Sequence, residues 1–102
     1  MKNEDFPQEH RDKLYPHVSE AVAKNCENYN MICVGRIPED VNVHDAARQL
    51  YPAGYSSLMR IEKALDSYDH TEEEYKTLCA NYISGWTKLF EKITKYYQQK
   101  RS

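Results

Sequence analysis

The stretch that decides the fold is TEEEYKTLCANYISGWTKLFEKITKYY, which occupies residues 71–97. It opens with a capping box, because the Thr71 hydroxyl and the Glu74 carboxylate can each bind a backbone N–H group at the start of a helix. Glutamates stand at its beginning and lysines near its end, which suits the helix dipole. The sequence therefore predicts a long amphipathic helix over residues 72–98. Its apolar stripe, which we expect to be buried, comprises Tyr75, Cys79, Tyr82, Trp86, Leu89, Ile93 and Tyr96.

Three shorter helices are predicted upstream, because apolar residues recur there at steps of three and four. Pro16 fits the first turn of the first of them, and Gly35 is expected to cap its end. Asn42 is expected to cap the second helix, which the run Tyr51-Pro52-Ala53-Gly54 should stop. The predicted ranges of these three helices are 16–34, 43–50 and 55–67.

Length and composition fit one small helical domain. The chain has 102 residues with only 3 Gly and 4 Pro, which disfavours folds built from many turns. The first residues are highly charged and weakly apolar. We therefore predict an all-α chain with a short N-terminal arm over residues 1–15 and a single helical domain over residues 16–102, in which the last helix is the longest.

Charge and hydropathy argue against several classes of protein. The 14 basic and 16 acidic residues give a formal charge of −2, so the chain has no basic field to attract nucleic acid. No stretch approaches the ~20 consecutive apolar residues of a membrane-spanning helix, and the N-terminus lacks the apolar segment of a secretory signal. The odd number of cysteines, 3, disfavours a disulfide framework. We expect a non-spanning protein of a reducing compartment.

No catalytic, cofactor-binding or metal-ligating residue is predicted. The cysteines lie on predicted apolar faces, and no two histidines have the i, i+4 spacing of a helical zinc pair. The side chains of Glu72, Glu73 and Glu74 point in three different directions on a helix, so they are predicted to form a solvated capping turn. A glycine-rich phosphate loop and a nucleophile elbow are both absent from the sequence. We therefore expect no enzymatic activity in this chain.

Two kinds of binding protein remain open on the residues alone. Residues 43–65 could form a helix-turn-helix that binds DNA, with Pro52-Ala53-Gly54 as its turn and Arg60 on the recognition helix. The acidic charge of the chain and the length of that turn weigh against this reading. The nine tyrosines and one tryptophan instead suit half-buried surfaces that a partner protein completes. A small helical adaptor or a subunit of a larger assembly is therefore the other interpretation.

Five segments, in a common order and spacing, carry a resemblance to a known family. They are YNMICVGRIPED at 29–40, DAARQLYP at 45–52, YSSLMRIEKALD at 55–66, EEY at 73–75 and LFEKI at 89–93. Together they resemble subunit 7 of the mitochondrial cytochrome bc1 complex, also called the ubiquinone-binding or QP-C subunit. That family has a helix of the type Glu-Ala-x-Arg-Arg-Leu-Pro, followed by a Met-x-Arg-Ile-Lys-Arg-Ala-Leu-Asp run. The chain departs from the pattern at Tyr51, which is an extra residue, and at Glu62, which replaces a basic one.

The resemblance implies a non-catalytic accessory subunit of respiratory complex III. Such a subunit lies on the matrix side of the mitochondrial inner membrane, peripheral to the bilayer, against cytochrome b and the core subunits. Electron transfer would be carried by cofactors in other chains, so no cofactor is implied here. Solvated surface charge is the alternative reading for each charged position that matches the family pattern. The resulting candidate partner contacts are Arg36, Glu39, Asp40, Arg48 and Arg60, together with Trp86.

Overall fold

The computed structural model describes residues 7–101, and within that range the chain is all-α, as predicted. Residues 1–6 of the predicted arm and Ser102 lie outside the described residues. The four helices are α1 (Gln8–Ile32), α2 (Val43–Leu50), α3 (Pro52–Ser67) and α4 (Glu72–Arg101). None of the described helices is long and apolar enough to cross a membrane.

The start of α4 is the capping box that the sequence predicts. The backbone N–H of Thr71 donates to Glu74 Oε1 at 2.9 Å, and the N–H of Glu74 donates to Thr71 Oγ1 at 3.2 Å. These bonds satisfy two of the backbone donors that every helix start leaves free. The long last helix is therefore confirmed, and most of its apolar stripe is buried. The buried members of that stripe are Tyr75, Cys79, Trp86, Leu89 and Ile93.

The first helix begins earlier than predicted, at Gln8, and Pro16 lies inside it. A proline within a helix removes a backbone hydrogen bond and costs about 3 kcal/mol. Burial of Leu14, which is 0% exposed among Leu65 and Tyr75, offsets about 2 kcal/mol of this cost. The contact of His10 Nε2 with the carbonyl oxygen of His70 at 3.0 Å also holds residues 8–15 as an extension of α1. The predicted boundary between arm and domain does not coincide with a helix end.

The turn between α2 and α3 is shorter than predicted. Asn42 caps α2 as expected, because its Oδ1 accepts the N–H groups of His44 and Asp45 at 2.9 and 3.1 Å. Tyr51 alone separates α2 from α3, and Pro52 is the first residue of α3. Proline suits this position because the first N–H groups of a helix have no intrahelical partner. The prediction that Pro52-Ala53-Gly54 forms a turn is therefore wrong.

The helices pack along α4 in a body of 53 × 23 × 22 Å. One core cluster surrounds Trp86, and a second joins Leu14 of α1 to Tyr75 of α4. Gly85 lies where α3 approaches α4 closely, since a Cβ atom there would lie 2.7 Å from Leu58 Cδ2 and the Leu58 side chain would have to shift. The C-terminal end of α1 is held on α4 by Thr94, whose hydroxyl lies 3.3 Å from the Ile32 carbonyl oxygen. Two surfaces near the end of α1 follow from this packing.

Candidate functional site

The first of these surfaces is a half-open cavity of about 250 Å³ between α1, α2 and α4. Its walls carry the rings of Tyr29, His44, Trp86 and Phe90, and we call this site the aromatic groove. Trp86 stacks on Phe90 with a ring-centroid distance of 5.3 Å and meets His44 edge to face at 4.9 Å. Tyr29 meets Phe90 in a T-shaped contact at 5.5 Å. The rings therefore hold one another in the offset and edge-to-face arrangements that aromatic pairs prefer.

Polar side chains border the aromatic groove on the side of α1. Asn25 and Asn30 line it, and Cys26 lies between them in the sequence with an exposed thiol. The amide oxygen Oδ1 of Asn25 is buried and accepts no hydrogen bond within the described residues. The Nδ1 atom of His44 lies 3.3 Å from the hydroxyl of Tyr55, which holds the imidazole beside Trp86. The site thus combines a ring-lined interior with an amide-bearing border.

Sequence reasoning did not identify this groove as a site. Cys26 was predicted to lie on an apolar face of the helix, and the structure places it beside the ring-lined cavity with an exposed thiol. Asn25, Asn30 and His44 carry no motif, and α1 and α2 are joined only through the connection at residues 33–42. His44 of α2 is brought to Asn25 and Asn30 of α1 by tertiary packing, which the sequence pattern of each helix does not predict. The predicted burial of Trp86 was the one available signal.

The second surface lies where α1 ends. Met31 and Val34 are large apolar residues with exposed fractions of 64% and 55%. Three of the candidate partner contacts, Arg36, Glu39 and Asp40, are exposed in the connection that follows. We call these five residues the α1-end patch. It therefore places exposed apolar and exposed charged side chains close together in the sequence.

Arg36 belongs to the patch and also stabilises the end of α1. Its guanidinium donates to the carbonyl oxygens of Met31 and Ile32, the latter at 3.3 Å. A cation at this position complements the negative end of the helix dipole. Met31 and Arg36 line an open cavity of about 590 Å³ whose opposite wall includes Glu91 and Lys95 of α4. The patch is thus continuous with a concave surface.

The remaining candidate contacts lie elsewhere. Arg48 on α2 is exposed and pairs with Asp45 of the same helix at 2.8 Å. Arg60 is exposed on α3. Trp86 is 1% exposed, so its ring packs inside the chain and forms a wall of the aromatic groove. No hydrogen bond or ion pair within the described part of the chain joins any two of the candidate contacts, and only Arg36, Glu39 and Asp40 lie in one segment, the connection after α1.

Histidines and carboxylates meet at the opposite end of the bundle. His17 Nε2 of α1 lies 3.0 Å from Glu72 Oε2 of α4, and Lys13 Nζ lies 3.6 Å from the other carboxylate oxygen. The hydrogen bond with His17 and the charge of Lys13 lower the pKa of Glu72. His10 Nε2 lies 3.0 Å from the carbonyl oxygen of His70. These contacts link the first turns of α1 to the start of α4, and they have a structural explanation.

No group of three His, Cys, Asp or Glu side chains among the described residues is placed to hold a metal ion. Cys33 and Cys79 are buried, and burial raises the pKa of each thiol. The chain matches no protein-family model, no curated protein and no solved structure. Two surfaces of the described residues are therefore the candidate sites, the aromatic groove and the α1-end patch.

Proposed function

We propose that this chain is a non-catalytic structural and assembly subunit of the mitochondrial cytochrome bc1 complex. In this role it lies on the matrix side of the inner membrane, peripheral to the bilayer, and contacts cytochrome b and the core subunits. It supports electron transfer from ubiquinol to cytochrome c, which cofactors of other chains carry out. The name of the complex comes from the motif resemblance over residues 29–96, and the surface of the chain supports the role of a binding partner.

The observation that carries the proposal is the exposure of Met31 and Val34. Both lie in the segment 29–40, where the resemblance begins, and both leave much of a large apolar side chain in water. Exposed apolar surface with a polar rim marks protein interaction sites, and here charged residues follow the two apolar ones in the sequence. The neighbouring charged positions of the α1-end patch match polar positions of the family pattern.

Magnitudes decide which residues of the patch should matter most. Burying one large apolar side chain contributes about 1.5–3 kcal/mol, and half-exposed residues such as Met31 and Val34 can gain part of this on binding. An exposed ion pair contributes only about 0–1 kcal/mol, so Arg36, Glu39 and Asp40 should orient the partner more than hold it. The apolar pair is therefore the first target for mutation.

The test is affinity purification of the tagged full-length chain from mildly solubilised mitochondria of its source organism. The expected result is recovery of cytochrome b and the core subunits in a fixed proportion. The double substitution Met31→Ser and Val34→Ser should lower that recovery. Tyr15→Ser with Val22→Ser is the matched control, because these residues of α1 are exposed by 58% and 47% and lie outside the patch.

Three outcomes would count against the proposal. Absence of the chain from an intact purified bc1 complex would refute the named assembly. Recovery of a different, water-soluble partner that is lost with the Met31 and Val34 substitutions would favour the adaptor interpretation. Salt-dependent binding of the isolated chain to duplex DNA would favour a nucleic-acid-binding regulator, since phosphate contacts release counterions.

A further inference from the structure

Three lysines form an exposed stripe along the second half of α4. Lys88, Lys92 and Lys95 are all exposed, and their i, i+4, i+7 spacing places them on one side of the helix, within about 10 Å along its axis. Lys92 Nζ lies 5.5 Å from the ring centre of Tyr51, between α2 and α3, and Lys95 lines the open cavity at the end of α1. We call these three residues the lysine face.

No carboxylate within the described part of the chain pairs with the lysine face. Other cations do form ion pairs, since Lys13, Lys24 and Arg48 each lie beside a carboxylate, at 3.6, 3.3 and 2.8 Å respectively. None of the ion pairs among the described residues includes a lysine of the face. Glu91 is the one acid between positions 88 and 95, and the exposed Arg36 lines the same cavity as Lys95. The face therefore presents unneutralised positive charge to solvent.

The net charge of the chain, −2, does not prevent this face from attracting anions. Exposed charges farther apart than about 8 Å are largely screened at physiological ionic strength. The acidic first turn of α4 ends at Glu74, about 21 Å along the helix from Lys88. An anionic surface that approaches the lysine face therefore meets the lysines and is screened from these glutamates.

The type of residue and the shape of the face favour a bilayer over an acidic protein as the partner. A lysine ammonium is a point charge on a flexible stem that can meet phosphate groups in many orientations, whereas the planar fork of arginine suits carboxylates best. The lysines project from the convex outer side of α4, because Leu89, Phe90 and Ile93 bury its inner side. Met31, which is 64% exposed, lines the same cavity as Lys95 and adds an apolar side chain beside the cations, a combination typical of surfaces that lie on membranes. We propose that the lysine face binds the anionic headgroups of a lipid bilayer.

This inference does not depend on the identity of the assembly proposed above. The lysine face shares no residue with the α1-end patch, and its ligand is lipid alone. Vesicles that contain no protein are therefore sufficient to test it. A failed test of either proposal would leave the other unchanged.

The test is co-sedimentation of the full-length chain with vesicles of phosphatidylcholine mixed with phosphatidylglycerol, and with vesicles of phosphatidylcholine alone. The expected result is binding to the mixed vesicles only, and this binding should weaken as salt is raised. Each of Lys88→Gln, Lys92→Gln and Lys95→Gln should lower the partition coefficient about fivefold, and the triple variant about a hundredfold, from the usual contribution of a lysine near an anionic surface.

The matched control carries Lys24→Gln, Lys63→Gln and Lys76→Gln, which changes the net charge by the same amount at exposed positions outside the lysine face. It should bind the mixed vesicles as the wild type does. A second variant, with all three lysines of the face replaced by arginine, should also keep the binding, because it keeps the charge. No binding of the wild type to mixed vesicles, an equal loss in the matched control, or a loss in the arginine variant would overturn the proposal. Binding of the wild type to polyglutamate but not to mixed vesicles would refute a lipid partner in favour of an acidic protein.

Discussion

Leu14→Ala tests whether the first residues of α1 belong to the folded domain. Leu14 is 0% exposed, and the substitution removes three carbons, at about 0.8 kcal/mol for each buried methylene. The cavity left beside Tyr75 and Leu65 adds to this loss, so the free energy of unfolding should fall by about 3–4 kcal/mol. A domain of this size has about 5–15 kcal/mol in total. The change is therefore a large fraction of the stability.

The assay is urea denaturation followed by circular dichroism at the helix band, with Tyr15→Ala as the matched control. Tyr15 is the next residue of the same helix but is 58% exposed, so its substitution should change the free energy of unfolding by less than about 0.5 kcal/mol. If Leu14→Ala and Tyr15→Ala shift the denaturation midpoint by equally small amounts, residues 8–15 do not pack on the bundle. The arm predicted from the sequence would then be the better description.

Three further predictions concern α4, and denaturation measurements check each of them. Trp86→Ala should lower the free energy of unfolding by about 3–5 kcal/mol, because the ring is 1% exposed, and an unchanged midpoint would contradict its burial. Gly85→Ala should lower the free energy of unfolding by about 1 kcal/mol, because the added Cβ would lie 2.7 Å from Leu58 Cδ2 and this clash outweighs the better helix propensity of alanine. The loss of stability should vanish in a Leu58→Ala background. The pKa of Glu72 is lowered, chiefly by its hydrogen bond with His17, so the stability it contributes is present above the ordinary pKa of 4.5. That contribution is lost as pH falls through the folded pKa. The denaturation midpoints of the wild-type and Glu72→Gln chains should therefore converge in acid. A constant difference between the two midpoints down to pH 2 would refute this linkage.

Local signals predicted the parts of the fold that local chemistry determines. The capping box at Thr71 and the Asn42 cap of α2 each involve atoms within three residues, and both form as expected. The period of the apolar stripe on α4 likewise needs no knowledge of the other helices, and its burial around Trp86 follows. These features could be read from the sequence because the interacting groups are neighbours in the chain.

The errors in the helix bounds occur at prolines, where local and tertiary effects compete. Pro16 was expected to start a helix, yet α1 begins at Gln8 and buries Leu14. The run that contains Pro52 does end α2 at Leu50 as predicted, but the missing N–H group of proline also suits a helix start, and α3 begins at Pro52 instead of Tyr55. The burial of Leu14 depends on α3 and α4, which lie about fifty residues away in the sequence. The apolar periodicity of α1 alone contains no information about the burial of Leu14 against α3 and α4.

The aromatic groove and the α1-end patch depend on the same junction between α1 and α4. The hydroxyl of Thr94 donates to the Ile32 carbonyl oxygen at 3.3 Å and lies 3.4 Å from the Cys33 sulfur, and that thiol lies 3.8 Å from the carbonyl oxygen of Phe90. These buried contacts fix the last turn of α1, which presents the exposed Met31 beyond the bundle. They also hold the backbone of Phe90, whose ring forms a wall of the aromatic groove. A partner that rearranged either surface would strain this junction, because buried polar contacts are costly to leave unpaired. Both surfaces are therefore expected to keep their shapes, because the junction that supports them is held by these contacts.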